Sequence, residues 1–131
     1  MTPGRRRLDA WFAGRGWTPF AFQREVWDAW AGGESGLLHV PTGVGKTLAA
    51  AGGPLADAVD ADAARGENGS PSRGLRLLWI TPLRALARDT EVALAEVVDG
   101  LGLSWRVERR TGDTSGARKR RQKADPPEIL V

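Results

Sequence analysis

From residue 40 the chain reads Val40-Pro41-Thr42-Gly43-Val44-Gly45-Lys46-Thr47, two glycines followed by a cation and a hydroxyl. Such an order suits a polyphosphate. Gly43 and Gly45 allow the backbone to turn with its N–H groups facing inward, and a helix beginning at Lys46 would bring its positive dipole end to the same point. Lys46 supplies a charge for the β and γ phosphates, and the Thr47 hydroxyl can ligand a magnesium ion that arrives with the nucleotide. The expected nucleotide contacts are therefore Pro41, Thr42, Gly43, Val44, Gly45, Lys46 and Thr47, with Lys46 and Thr47 nearest the chemistry, and the expected cofactors are ATP and Mg2+. The general phosphate-loop pattern starts on a glycine where this chain has Val40, which leaves a chance glycine-rich turn as the competing reading.

The loop needs a strand before it and a helix after it. Gly36 to Val40 is a short apolar run bounded by turn residues and predicts a buried parallel strand. An alanine-rich helix is expected over about Lys46 to Ala64, with a break or kink at Gly52-Gly53-Pro54. Upstream, Phe22, Val26 and Trp30 recur beside Trp27 as the stripe of an amphipathic helix within 18–31, stopped by Gly32-Gly33. The turn formers of 65–74 predict a surface loop. Leu75 to Ile80 reads as a second strand, and Leu83, Leu86, Thr90, Ala93, Leu94 and Val97 as one face of a helix that ends near Gly100. Leu103 to Val107 is a third strand, a basic helix follows, and Glu128 to Val131 begins a fourth. Strand alternating with helix predicts an α/β fold, a mostly parallel sheet covered on both faces.

Composition narrows the chemistry further. With 131 residues, 41% apolar and 27% charged, one ordinary globular domain is expected. There is no cysteine and one histidine, His39, so neither a disulfide framework nor a thiolate metal centre is expected. The start Arg5-Arg6-Arg7 is followed by no apolar run of signal length, and no segment approaches the roughly 18 uninterrupted apolar residues of a membrane span. A cytoplasmic protein with no membrane contact is expected, and the arginine, alanine and glycine usage suggests a bacterial source. The net charge of +3 is modest, but basic residues cluster at 5–7 and at Arg118-Lys119-Arg120-Arg121-Gln122-Lys123. Clusters of this kind suit nucleic-acid phosphates; the second also fits the solvated face of a helix.

Pro41 to Thr47 resembles motif I of the superfamily 2 helicases, the DEAD and DEAH proteins, in which a non-glycine first position is ordinary. The resemblance implies a RecA-like, three-layer P-loop domain. Thr18-Pro19-Phe20-Ala21-Phe22-Gln23 is similar to that family's Q motif, which implies that Gln23 reads the adenine edge; the alternative is an ordinary helix glutamine. Thr81-Pro82-Leu83-Arg84-Ala85-Leu86-Ala87 is similar to motif Ia, which implies contact with the backbone of the tracked strand through Pro82 and Arg84. Leu83 and Ala85, followed by Arg110-Thr111-Gly112-Asp113-Thr114, resemble the large-helicase-related (Lhr) branch, with Thr111, Gly112 and Asp113 as further nucleic-acid contacts. The tryptophan-rich start, Trp11, Trp17, Trp27 and Trp30, together with Leu37 to Gly43, looks like the bacterial ligase-associated DEXH-box DNA helicases, although tryptophans at such spacing also serve as core packing.

That resemblance implies ATP-dependent 3′-to-5′ movement on single-stranded DNA or RNA, with a DNA ligase or nuclease as partner. It also implies parts that the sequence lacks: an acidic strand-end motif and an arginine finger on a second domain. Asp125 and Glu128 precede the last strand and do not match that acidic motif. Residues 1–17 are therefore expected to be a basic, aromatic lead-in and 18–131 the N-terminal part of an incomplete ATP-binding domain, inactive and barely stable alone. Two alternatives stand beside this reading: a nucleotide or nucleic-acid binding module without turnover, and another P-loop translocase.

Overall fold

The computed structural model describes residues 1–41, 45–70 and 73–131, which divide into two compact units, Met1–Gly69 and Ser70–Val131. Its α/β class agrees with the sequence.

The first unit is built from helices: α1 (Pro3–Gly14), α2 (Ala21–Ala31) and α3 (Lys46–Arg65). α1, which the apolar stripes do not predict, starts with Thr2 accepting from Arg5 N and with Pro3 in its first turn. Proline there gives up only an N–H that would have had no partner in the helix. Leu8 and Phe12, one turn apart, bury its inner face. α2 packs Trp27 against α3, and that ring is in edge contact with Phe12 at 5.7 Å.

α3 is where expectation and structure part. Gly52-Gly53-Pro54 does not break it; the helix runs through to Arg65. Pro54 removes the hydrogen bond to the carbonyl of Ala50, an exposed residue. The two glycines serve as seats. A Cβ at Gly52 would collide with the Trp27 indole, and one at Gly53 would stand 2.7 Å from the Trp30 ring. The indole N–H groups then tie down both rings, Trp27 Nε1 donating to Leu48 O at 3.0 Å and Trp30 Nε1 to Asp57 Oδ2 at 2.6 Å. Gly4 of α1 is equally close: a Cβ there would run into the Ala56 carbonyl, and its N–H donates to Asp60 Oδ1 at 2.7 Å. Small residues thus let α1 and α2 both lie against α3.

No strand forms at Gly36 to Val40, contrary to expectation, and Leu37 is 94% exposed. A strand needs a ladder partner for its N–H and C=O groups, and the described residues of this unit supply only helices.

The second unit holds β1 (Leu77–Leu78), α4 (Arg84–Gly100), β2 (Val107–Glu108), α5 (Gly116–Ala124) and β3 (Ile129–Leu130). All pairings are parallel and the order is β1-β3-β2, with Ile129 aligned on both Leu77 and Val107. β1 and β3 lie within the predicted runs, β2 starts only at Val107, the last residue of its run, and each strand pairs over only two residues. Ala87, Leu94, Val97, Val98, Leu101, Leu103 and Ile129 are buried. Leu83 and Leu86, expected on the buried face of α4, are exposed instead; the stripe begins with Ala87. At the amino ends of the strands Arg106 donates to Asp125 Oδ2 at 2.9 Å, to Glu128 Oε2 at 3.3 Å and to the Pro126 carbonyl at 2.8 Å. Asp125 and Glu128 therefore brace β2 against β3. Through its hydrogen bond and then its charge, Arg106 holds the Asp125 carboxyl below the ordinary aspartate range.

Candidate nucleotide and nucleic-acid sites

In the first unit the candidate site gathers at the start of α3. Gly45 is the helix N-cap with φ +83°, and no side chain caps the first turn. A left-handed residue of this kind favours glycine. The uncapped N–H groups and the dipole of a 20-residue helix together suit an anion. Lys46 Nζ donates to the Val40 carbonyl at 3.3 Å, which holds the ammonium over the loop's entry. Thr47, half-buried, is the second residue of the helix, and Pro41 is exposed. Thr42, Gly43 and Val44 lie outside the described residues.

Gln23 joins this site from α2. Its side chain is buried, with Oε1 accepting from Phe20 N at 2.9 Å and Nε2 donating to Gly45 O at 3.0 Å. The first bond satisfies an orphan N–H at the start of α2, half of a capping box whose other half Phe20 cannot supply. The second ties α2 to the N-cap of α3. The contact is close: a Cβ at Gly45 would stand 2.6 Å from Gln23 Nε2. One amide N–H and one oxygen lone pair remain for a ligand. The glutamine is thus a brace of the phosphate loop as well as a candidate base reader, and its spacing alone gave no sign of that.

The tryptophans sit mostly in packing. Trp11, Phe12 and Trp17 meet edge to face at 5.4 to 6.2 Å, and the Arg15 guanidinium lies over Trp11 and Trp17. Of the first basic cluster, Arg5 is turned to Asp28 at 2.9 Å and to the Trp27 ring, and Arg6 donates to the Met1 carbonyl. Trp27 and Arg5 are therefore parts of the core's edge, not free platforms for bases or phosphates.

In the second unit a cleft of about 330 Å³ opens at the carboxyl ends of the parallel strands, lined among others by Pro82, Arg84, Arg110, Thr111 and Gly112. All five expected nucleic-acid contacts meet at or beside it. Arg84, the first residue of α4, donates from Nη1 to both carboxylate oxygens of Asp113, at 2.9 and 3.1 Å. Both side chains are about 70% exposed, at 69% and 70%, so the pair is a weak surface one. The turn that presents Asp113 is stitched by Thr111 N donating to Thr114 Oγ1 and Asp113 N to Thr111 Oγ1. Gly112 lies against Arg84, where a Cβ would come within 3.0 Å of Nη2. Asp113 uses one guanidinium nitrogen; Nε and Nη2 remain to meet a phosphate.

Residues 20–131 match the DEAD/DEAH box helicase family. The chain belongs to that family. Among curated relatives, the Lhr helicase/probable uracil glycosylase of Mycolicibacterium smegmatis is 37% identical over 92% of this chain, which spans 8% of that protein's length. The structure of Mycobacterium smegmatis helicase Lhr bound to ssDNA and AMP-PNP covers all of the chain at 30% identity with a TM-score of 0.74, the chain matching 17% of it. The DUF1998 helicase MrfA bound to DNA and AMPPNP gives 26% identity and a TM-score of 0.76, again with 100% of this chain and 17% of that one. This DEAD/DEAH family chain thus resembles both the Lhr and the MrfA helicases, the Lhr branch being the one that Leu83 and Ala85 suggest. Among its described residues no helix is long and apolar enough to cross a membrane.

Proposed function

We propose that this chain supplies the nucleotide grip and one strand grip of an ATP-driven DNA motor that moves 3′ to 5′. The observation that carries the reading is the start of α3, where left-handed Gly45, an uncapped first turn and Lys46 converge on one point. An anionic ligand fits there, because among the described residues no side chain caps the first turn of α3. In this reading the loop 41–47 wraps the phosphates, Lys46 exchanges its Val40 carbonyl for them, and Gln23 offers its remaining amide positions to the adenine edge. Thr47 would hold the magnesium ion, whose charge when bound offsets that of the phosphates.

Arg84 and the Thr111–Asp113 turn take the sugar-phosphate backbone of a single strand. Such contacts position a strand without reading its bases, as a motor moving through any sequence requires. The DNA and AMP-PNP of the M. smegmatis Lhr structure support this reading, as does the resemblance of Pro82 to Ala87 to motif Ia. Family resemblance also supports a bacterial cytoplasmic setting and a DNA ligase or nuclease as partner.

The test is binding of a short labelled single strand across a salt series. The logarithm of affinity should fall with that of salt by about 0.7 per phosphate neutralised, and Arg84→Ala should make the slope shallower by about that amount. Binding that ignores salt, or an unchanged slope in Arg84→Ala, contradicts the strand grip.

A further inference from the structure

Four arginines around the core and the sheet are spent on acidic partners. Arg5 meets Asp28, Arg24 meets Asp9, Arg106 meets Asp125 and Glu128, and Arg109 meets Glu91. α5 is built the other way. It carries Arg118, Lys119, Arg120, Arg121 and Lys123 and no acid. Arg118 approaches Glu108 only at 3.9 Å, and the other four have no acidic partner within ion-pair distance among the described residues.

Like charges three and four residues apart oppose a helix, and here Arg118 faces Arg121, Lys119 faces Lys123 and Arg120 faces Lys123. What fixes α5 is elsewhere. Ser115 caps it by accepting from Arg118 N, and buried Gln122 donates to Glu108 Oε1 at 3.2 Å and to the Arg109 carbonyl at 3.1 Å. One face is thereby pinned beside β2, and Arg120, Arg121 and Lys123 are left exposed. A solvated helix gains nothing from such a set, whereas a polyanion would relieve its repulsion and release counterions.

Position narrows the polyanion. α5 begins just after the Thr111–Asp113 turn, at the Arg84 end of the sheet, and ends at Asp125, where Arg106 braces the opposite end. Nine residues carry it about 13 Å along the unit. The residues that line the Arg84 cleft include none of α5, and Arg121 and Lys123 stand toward the helix's far end, where a second run of phosphates would meet them.

We propose that the outer face of α5 is a second phosphate contact, separate from the single-strand cleft, that takes the backbone of a duplex arm. The inference rests on the reading of this chain as a nucleic-acid motor part and assigns α5 a substrate element of its own. Its contacts are charge on charge and carry no sequence preference.

The test compares a short single strand with a hairpin duplex bearing the same single strand as a tail, both titrated against the full chain over a salt series. In Arg120→Gln/Arg121→Gln/Lys123→Gln, which keeps helix-forming side chains, the slope for the tailed duplex should become shallower by about 0.9 for each phosphate no longer neutralised, and affinity for the short strand should not change. Far-UV circular dichroism matching the parent establishes that the variant is folded. Equal losses on both DNAs, or parental binding to both, overturn the proposal; the second result would leave α5 to an acidic protein partner. Arg84→Ala separates the two readings, since it should weaken the short strand and leave the contribution of α5 intact. If Arg84→Ala binds the short strand like the parent while the α5 variant still loses the duplex, the cleft reading fails and the α5 proposal stands.

Discussion

In Met1–Gly69 several charged side chains pair with each other, Arg5 with Asp28 and Arg24 with Asp9, and the candidate anion site joins Lys46 to the backbone N–H groups at the start of α3. In Ser70–Val131 the reverse holds: the cleft and α5 present guanidinium and ammonium groups to solvent. Backbone donors are fixed by the fold and suit a ligand of one shape. Flexible side-chain cations tolerate a partner that slides. In the proposed reading a nucleotide and a moving strand make these two different demands, and each unit answers one of them.

The first unit's precision depends on how tightly two helices, α1 and α2, close around α3, so the largest effect is expected in its core. Trp27→Ala removes a ring that is 1% exposed, its edge contact with Phe12 and its bond to Leu48 O, and should cost about 3 to 5 kcal/mol of unfolding free energy. Urea unfolding followed by circular dichroism measures it. A loss below about 1 kcal/mol would show that this ring is not a keystone of the packing.

Gln23→Ala is the next largest and separates bracing from base reading. It leaves the Phe20 N–H without its partner and takes from the Gly45 carbonyl one of its two donors, the Ala49 N–H remaining, which should cost about 1 to 3 kcal/mol in stability. If the remaining amide positions also read adenine, the ATP-to-GTP affinity ratio should shrink. A stability loss with an unchanged ratio assigns Gln23 to the brace alone.

The second unit should be the one that acid loosens first at the Arg106 clamp. Asp125 is held below its ordinary value, so its contribution is complete above about pH 4 and is lost as pH falls through the lower, folded-state value. Asp125→Asn should flatten that acid-side decline in a pH series of thermal melts; a parental profile would show that Asp125 contributes nothing to it.

These elements also differ in how much of them the sequence discloses. α2 and α4 follow from apolar periodicity and from the glycines that end them, and α5 from a basic run that stops before Pro126-Pro127. α1 carries a signature too, Thr2-Pro3 ahead of Leu8 and Phe12, but its arginines mask the stripe. Gly52-Gly53-Pro54 has the composition of a breaker, and only the tryptophans of another helix reveal it as a seat. The run Gly36 to Val40 has the composition of a strand, yet strand formation depends on a partner that composition does not specify. For the sites, residue types and local spacing expose the loop at 41–47 and the segment at 82–84. The bonds from Gln23 to Gly45 and from Arg84 to Asp113 join residues 22 and 29 positions apart, and local pattern carries no information at that range.

The central claim is that the start of α3 is a nucleotide's phosphate site whose single dedicated charge is Lys46. Calorimetric titration of ATP with Mg2+ into the parent and into Lys46→Ala tests it most directly. The variant should bind weaker by roughly 1.5 to 3 kcal/mol, the scale of a hydrogen bond to a charged group, with its circular dichroism unchanged. Equal affinity in the two proteins would contradict the account.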